Sequence, residues 1–362
     1  MLAPSAALLR ASLEKVPAEA FTAALTGEIA ARADRFLSGL ERYRHHPYRR
    51  DLSEPPAVWR QGSTRLLDYG PGTGKPVLVV PSLVNRAYIL DLQSEKSLLR
   101  HLSGTGLRPL LVDWGWPGTE ERGFDLTDYV AGRLENAAEA ATHLAGGKLA
   151  VLGYCMGGLL AVALAQRRTD LVSALALLAT PWDFHAERAE HAQLLGQLAG
   201  PLIECFAPIG EIPVDILQLF FFANDPLSAL KKYTMLAAMR PDSEEERSFV
   251  ALEDWVNDGV PLPINVAKEA LGSWYGENLP GLGKWQIDGR PVLPEEVEVP
   301  SLVMVPRQDR IVPPLAAAAL ADHLIHARRL DPPLGHVGMV VGRKAPRAVW
   351  DTLARWLAEP NA

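Results

Sequence analysis

Cysteine is scarce in this chain: Cys155 and Cys205 are the only two among 362 residues. That excludes a disulfide-stapled scaffold and a paired-cysteine zinc site, and it suggests a reducing compartment. Basic residues are in the minority, 36 against 43 acidic, for a formal net charge of −7. Nucleic acid and anionic membrane are therefore not expected partners, because both call for a cationic surface. Long apolar runs are missing too. Stretches such as "LLAVALA" fall far short of the roughly 20 residues that cross a bilayer, so no transmembrane segment is expected. The opening "MLAPSAALLRASLEK" lacks the apolar core of a secretory signal, which again suggests the cytoplasm. "GPGTGK" (70–75) lacks the full spacing of a phosphate-cradling loop and precedes a strand, so it reads as a turn.

What is present is a chain with 48% hydrophobic residues, enough to bury a large core. Residues 1–60 alternate apolar and charged positions at helical spacing and read as an N-terminal helical segment. From about residue 61 to 180 the texture changes. "PVLVVPS" (76–82), "RPLLVDW" (108–114), "KLAVLGY" (148–154) and "SALALLAT" (173–180) read as fully buried strands, and "PSLVMVP" (300–306) resumes the pattern within 298–362. Helix candidates such as "LTDYVAGRLENAAEAATHL" lie between them. Strand and helix in alternation imply an α/β fold with a mostly parallel sheet covered on both faces. Residues 181–297 interrupt the alternation with aromatics, prolines and helix formers, and read as a helical cap insertion. The "FFF" run at 220–222 reads as cap core, with a contact surface as the functional alternative.

The stretch "VLGYCMGG" sets Gly153, Cys155 and Gly157 between an apolar strand and an apolar helix. This is the context of a nucleophile elbow, a strained strand-to-helix turn that presents one side chain while small neighbours let the two elements approach. Cys155 would stand at the helix N-terminus, where the dipole favours a thiolate, with the N–H of Met156 available to a developing oxyanion. Taken alone, the stretch also fits an inert cysteine in a glycine-rich turn. The order of the remaining candidates decides for the nucleophile, since the α/β-hydrolase fold expects nucleophile, then acid, then histidine. "VMVPRQDRIVPP" supplies Asp309 after a late strand, with Asp331 as its competitor, and "LDPPLGHVGMVVG" supplies His336 as base. The other histidines, His191 among them, lie in helical or charged surroundings and read as solvated or structural. A second oxyanion donor is expected near Leu83 in "VVPSLVNRAYILDL", and Trp182 and Trp255 are candidates for the pocket wall.

A thiol suits repeated acyl transfer, because a cysteine thioester keeps the activation of a thioester substrate that a serine ester would lose. A capped, dry pocket would then favour transfer over hydrolysis. On these residues alone an acyltransferase and a cysteine-dependent hydrolase both remain open.

Six segments in order carry a resemblance: "LVVPSLVNRAYILDLQSEKSLLRHL", "GYCMGG", "LLATPWDF", "WVNDGVPLP", "RQDRIVPP" and "GHVGMVVG". Together they resemble the polyhydroxyalkanoate synthases, from about residue 65 to the C-terminus, and the short chain is most similar to the class III catalytic subunit. Pro81-Ser82 stands where many members carry Pro-Pro, and "DWGWPGTEE" is only loosely similar. The resemblance implies polymerisation of 3-hydroxyacyl-CoA into polyester with release of CoA, with Cys155 carrying the chain, His336 as base and Asp309 assisting. It implies no cofactor beyond the coenzyme A thioester that is the substrate, and no metal. It also implies a noncatalytic synthase subunit or a homodimer as partner, and a cytoplasmic place at polyester granules.

Overall fold

The computed structural model describes residues 10–13, 16–70, 72–187, 189–224 and 227–360. Side chains at 220–224, and with them the Phe220 to Phe222 reading, lie outside the described residues. The chain divides into two compact units, one of residues 1–49 and 225–251, the other of 50–224 and 252–362. This division cuts across the sequence boundaries at 60, 180 and 297.

In the smaller unit, helix α1 (Ala18–Arg44) lies along the helix Ser228–Ala238. Gly39 permits the close approach, since a Cβ there would run into the Tyr233 backbone. Phe36 and Tyr43 pack on the Tyr233 ring at centroid distances of 6.0 and 5.8 Å. Arg42 closes the end by donating to the carbonyls of Leu236 and Met239 and to the Glu246 carboxylate. Phe21, Leu25 and Ile29 stay exposed on α1.

The larger unit is built on an eight-stranded sheet: β1 (Ala57–Gln61), β2 (Thr64–Asp68), β3 (Lys75–Val80), β4 (Leu107–Asp113), β5 (Leu149–Tyr154), β6 (Val172–Leu178), β7 (Ser301–Met304) and β8 (Ala327–Leu330). The spatial order is β1-β2-β4-β3-β5-β6-β7-β8, and only β2 runs against its neighbours. The expected α/β-hydrolase fold is therefore the observed one. β5 and β6 are buried almost end to end, as expected of parallel strands covered on both faces.

Helix α2 (Glu135–Ala145) turns Ala137, Ala138 and Ala141 onto the sheet. Helix α3 (Met156–Arg167) buries every residue from Met156 to Gln166. Such a helix, apolar on all sides, is held by packing rather than by an amphipathic stripe, and each fully buried leucine in it contributes about 1.5–3 kcal/mol. Two sheet elements escaped the sequence reading. The β1–β2 hairpin is interrupted by Arg60, Arg65 and Asp68, and β8, "ARRL", is an edge strand with Arg328 and Arg329 exposed, so neither carries a continuous apolar run.

Candidate active site

β5 ends at Tyr154 and α3 begins at Met156, which leaves Cys155 alone on the bend with φ 55° and ψ −129°. These angles cost a residue with a side chain about 1–3 kcal/mol, and the surroundings impose them. The Cys155 N–H donates to the Leu178 carbonyl at the end of β6 (2.9 Å), and the Cys155 carbonyl accepts from Gly158 N–H (2.9 Å). Side chains are excluded all round the turn. A Cβ at Gly157 would strike the Val80 and Pro81 carbonyls, one at Gly158 the Thr180 side chain, and one at Gly153 the backbone of Gly158. As the first residue of α3, Met156 presents an N–H with no helical acceptor behind it.

Two further loops meet at the same edge of the sheet. Asp309 follows β7 and His336 follows β8, and the loops are pinned together by Arg307 N–H to Pro332 O (3.0 Å) and Gln308 N–H to Leu334 O (2.9 Å). His336 Nδ1 bonds Asp309 Oδ2 at 2.7 Å. The other carboxylate oxygen accepts from the N–H groups of Ile311 and Val312, at 2.8 and 2.9 Å, so the acid cannot swing away. Asp331 instead pairs with Arg329 at 2.8 Å on the surface.

Burial works against charge on the His336 ring, but the charge of Cys155 and the hydrogen bonds with Asp309 and Cys155 outweigh it, and the imidazole is raised to about 10. Beneath the ring, the fully buried Tyr154 has its phenol held far above the usual range, by burial first and then by the charges of Cys155 and Asp309.

Cys155 and Met156 open onto a cavity of about 170 Å³. Its wall is largely apolar and is drawn from the 181–297 insertion, with Phe184, Leu195, Leu217, Leu262 and Trp274 among the lining residues. Its polar groups include Ser82, Tyr275, His191 and Arg310. Burial, then the charges of Cys155 and Asp309, push the Tyr275 phenol up to about 12.

The two tryptophans expected on the wall stand outside it, and the side chain of Leu83, expected as a backbone donor, packs away from the cavity. Leu83 is 5% exposed and packs in the core, while its neighbours Ser82 and Val84 line the cavity and Val84 N–H is taken by Ser82 Oγ at 3.0 Å. Trp182 is buried edge-on against Trp285, 6.3 Å between centroids, behind the lining residue Pro181. Trp255 donates its indole N–H to the Arg86 carbonyl at 2.7 Å and also stands outside the lining. His191, read from sequence as solvated or structural, is on the wall instead. Arg310 and Tyr275 gave no sequence signal beyond adjacency to Asp309 and to an aromatic pair. Among the described residues, no group of three or more His, Cys, Asp or Glu is arranged to hold a metal ion.

Comparison with known proteins places the chain in a family. The chain is 29% identical over 342 residues to the poly(3-hydroxyalkanoate) polymerase subunit PhaC of Synechocystis sp., covering 90% of each chain. It is 28% identical to the polymerase subunit PhaC of Thiocystis violacea, covering 85% of this chain and 89% of that one. Both bear the name of the family that the six ordered segments resemble. Among solved structures, an alpha/beta hydrolase fold protein from Nakamurella multipartita superimposes with a TM-score of 0.51 at 20% identity, covering 84% of this chain and 99% of that one. The sequence pattern of the alpha/beta hydrolase fold matches residues 75–342, a span that holds Cys155, Asp309 and His336 together, and the chain belongs to that family.

Proposed function

We propose that this protein is a polyhydroxyalkanoate synthase that builds polyester from 3-hydroxyacyl-CoA through an acyl group carried on Cys155. The observation that carries the reading is a sulfur nucleophile on a hydrolase elbow, opening onto an apolar cavity beside a histidine paired with a carboxylate. Similarity to a polymerase subunit over 90% of the chain supports it.

In the first step Cys155 Sγ gives its proton to His336 and attacks the thioester carbonyl. The oxyanion gathers on the Met156 N–H and on a second donor beside Leu83. As the carbon–sulfur bond to CoA breaks, His336 returns the proton to the departing CoA thiolate, leaving an acyl-cysteine thioester. In the second step the hydroxyl of another 3-hydroxyacyl unit loses its proton to His336 and attacks that thioester. An ester bond forms, the Cys155–acyl bond breaks, and the proton passes back to Sγ. Asp309 holds the Nδ1 edge of the ring throughout, so that Nε2 does the proton work. The apolar wall keeps water from the acyl-cysteine, which favours ester formation over hydrolysis.

The CoA thioester is substrate, and no further cofactor enters the scheme. A cytoplasmic location at polyester granules fits the reading, with a noncatalytic subunit or a second copy as partner. No helix among the described residues is long and apolar enough to cross a membrane.

Purified protein supplied with 3-hydroxybutyryl-CoA, alone and with a candidate partner subunit, is expected to release CoA and accumulate an ester-linked oligomer. Release of free 3-hydroxybutyric acid without oligomer would replace the synthase reading with a hydrolase.

A further inference from the structure

The loops after β3 and β4 leave neighbouring strands at the same edge of the sheet, and Trp114 Nε1 ties them by donating to the Pro81 carbonyl at 3.1 Å. Ligands of open α/β sheets bind outside this edge. The first loop supplies Ser82 and Val84 to the Cys155 cavity. Past Asn85, which sits in the left-handed region at φ 67°, comes Arg86. Its guanidinium lies 5.5 Å over the ring of Trp116, from the second loop.

Neither side chain is used by the chemistry described so far, and neither is satisfied as a structural group would be. Trp116 is 48% exposed, although tryptophan is ordinarily well buried. Arg86 Nε is buried without a hydrogen-bond partner. Its ion-pair partner among the described residues is Asp258, 3.6 Å away, beyond hydrogen-bonding distance. The backbone beneath is nonetheless fixed, because Trp255 Nε1 holds the Arg86 carbonyl. A rigidly mounted, partly exposed arginine with an unpartnered Nε therefore stands beside an open indole, two residues along the chain from the cavity wall.

We propose that Arg86 and Trp116 dock the nucleotide end of the CoA thioester, with the adenine on the open face of Trp116 and a phosphate on the Arg86 guanidinium. Bases stack on an aromatic face, and a guanidinium fork matches phosphate oxygens. Asp258 is then a competing anion that the phosphate displaces. The inference rests on the acyl-transfer reading of Cys155, and it locates the part of the substrate that the cavity does not hold.

The test compares kcat/KM for 3-hydroxybutyryl-CoA with that for the N-acetylcysteamine thioester, which keeps the acyl group and lacks the nucleotide. In Trp116→Ala and in Arg86→Gln the ratio of the two is expected to fall about tenfold, the size of a lost stacking or phosphate contact. In Asp258→Asn it should rise two- to threefold. Ratios within twofold of the parent in both loss variants overturn the site. Titration with adenosine 3′,5′-bisphosphate reads binding without turnover. Saturable quenching of tryptophan fluorescence is expected in the parent and should vanish in Trp116→Ala. No quenching in the parent overturns the site, whereas quenching without acyl transfer from either thioester keeps it and removes the synthase reading.

Discussion

Tyr154 lies against His336 as a floor: the ring centroids are 5.2 Å apart with planes tilted by 35°, and Tyr154 Oη donates to the His336 carbonyl at 3.3 Å. The residue before the nucleophile thus supports the loop that brings the base, from 182 positions further along the chain. Tyr154→Phe keeps the ring and removes one hydrogen bond, with an expected loss of about 0.5–1.5 kcal/mol in urea denaturation. Tyr154→Ala opens a cavity and should cost about 3–5 kcal/mol, with acyl transfer falling far more than in the Phe variant. Equal activities in the two variants would show that the ring does not position His336.

Cys155→Ala should leave the fold intact, because the side chain is small and borders the cavity, and it should abolish acyl transfer. It also removes a charge that raises the His336 imidazole while the opposing burial remains. The ring should therefore titrate below the value of about 10 it has beside Cys155, as read from its proton resonances across a pH series. In linkage terms the raised pKa favours the folded state below the ordinary histidine value near 6.5, and that contribution disappears as pH climbs through 10. An unchanged titration in Cys155→Ala would sever the two groups.

Asp309→Asn keeps the side chain's shape and loses its charge. Formation of the acyl-cysteine should survive better than the transfer to a hydroxyl that follows, because an alcohol needs a stronger base than a thiol. Single-turnover acylation and steady-state polymer formation separate the two steps, and equal losses would count against the role given to Asp309.

Glu269 gives a stability prediction away from the chemistry. Burial, aided by the nearby Asp125 and Asp128, raises its carboxyl to about 7 even though it accepts a hydrogen bond from Leu126 N–H. Its folded pKa lies above its unfolded one, so its own contribution to stability is full below about 4.5 and is lost as pH rises through 7. Glu269→Gln keeps the acceptor and should flatten that slope. At pH 8 it should be more stable than the parent by about 1–2 kcal/mol, after allowing for partial solvent screening. A parent-like slope in the variant would remove Glu269 as its source.

The glycines of the elbow should respond differently. At Gly157 an added methyl meets backbone carbonyls, which cannot move aside; at Gly158 it meets the Thr180 side chain. Gly158→Ala should therefore be rescued in part by Thr180→Ala, whose hydroxyl has no hydrogen-bond partner to lose. No second-site change in a side chain should rescue Gly157→Ala. Thermal unfolding of the single and double variants tests both.

The sequence revealed what depends on local pattern. The strands it disclosed are those buried on both faces, where apolar runs are continuous. The elbow was visible because its glycines flank a cysteine between an apolar strand and an apolar helix, and Asp309 and His336 because they follow it in the order the fold expects. Positions set by distant packing stayed hidden. Trp182 and Trp255 carry bulk that suits a pocket wall, yet one is sealed behind Pro181 and the other anchors the Arg86 backbone. His191 reached the wall through the path of the helix Ala189–Phe206, which no spacing in the sequence betrays. The grouping of residues 1–49 with 225–251 likewise depends on a contact between segments nearly two hundred positions apart.

The backbone angles at Cys155 set stability against chemistry at a single position. A φ of 55° with a ψ of −129° is comfortable only for glycine, so a descendant carrying glycine there would relax the bend and endure heat better while making nothing. Random mutation together with a search for hardiness would drift toward that inert form. Only continued selection for product holds sulfur on the turn.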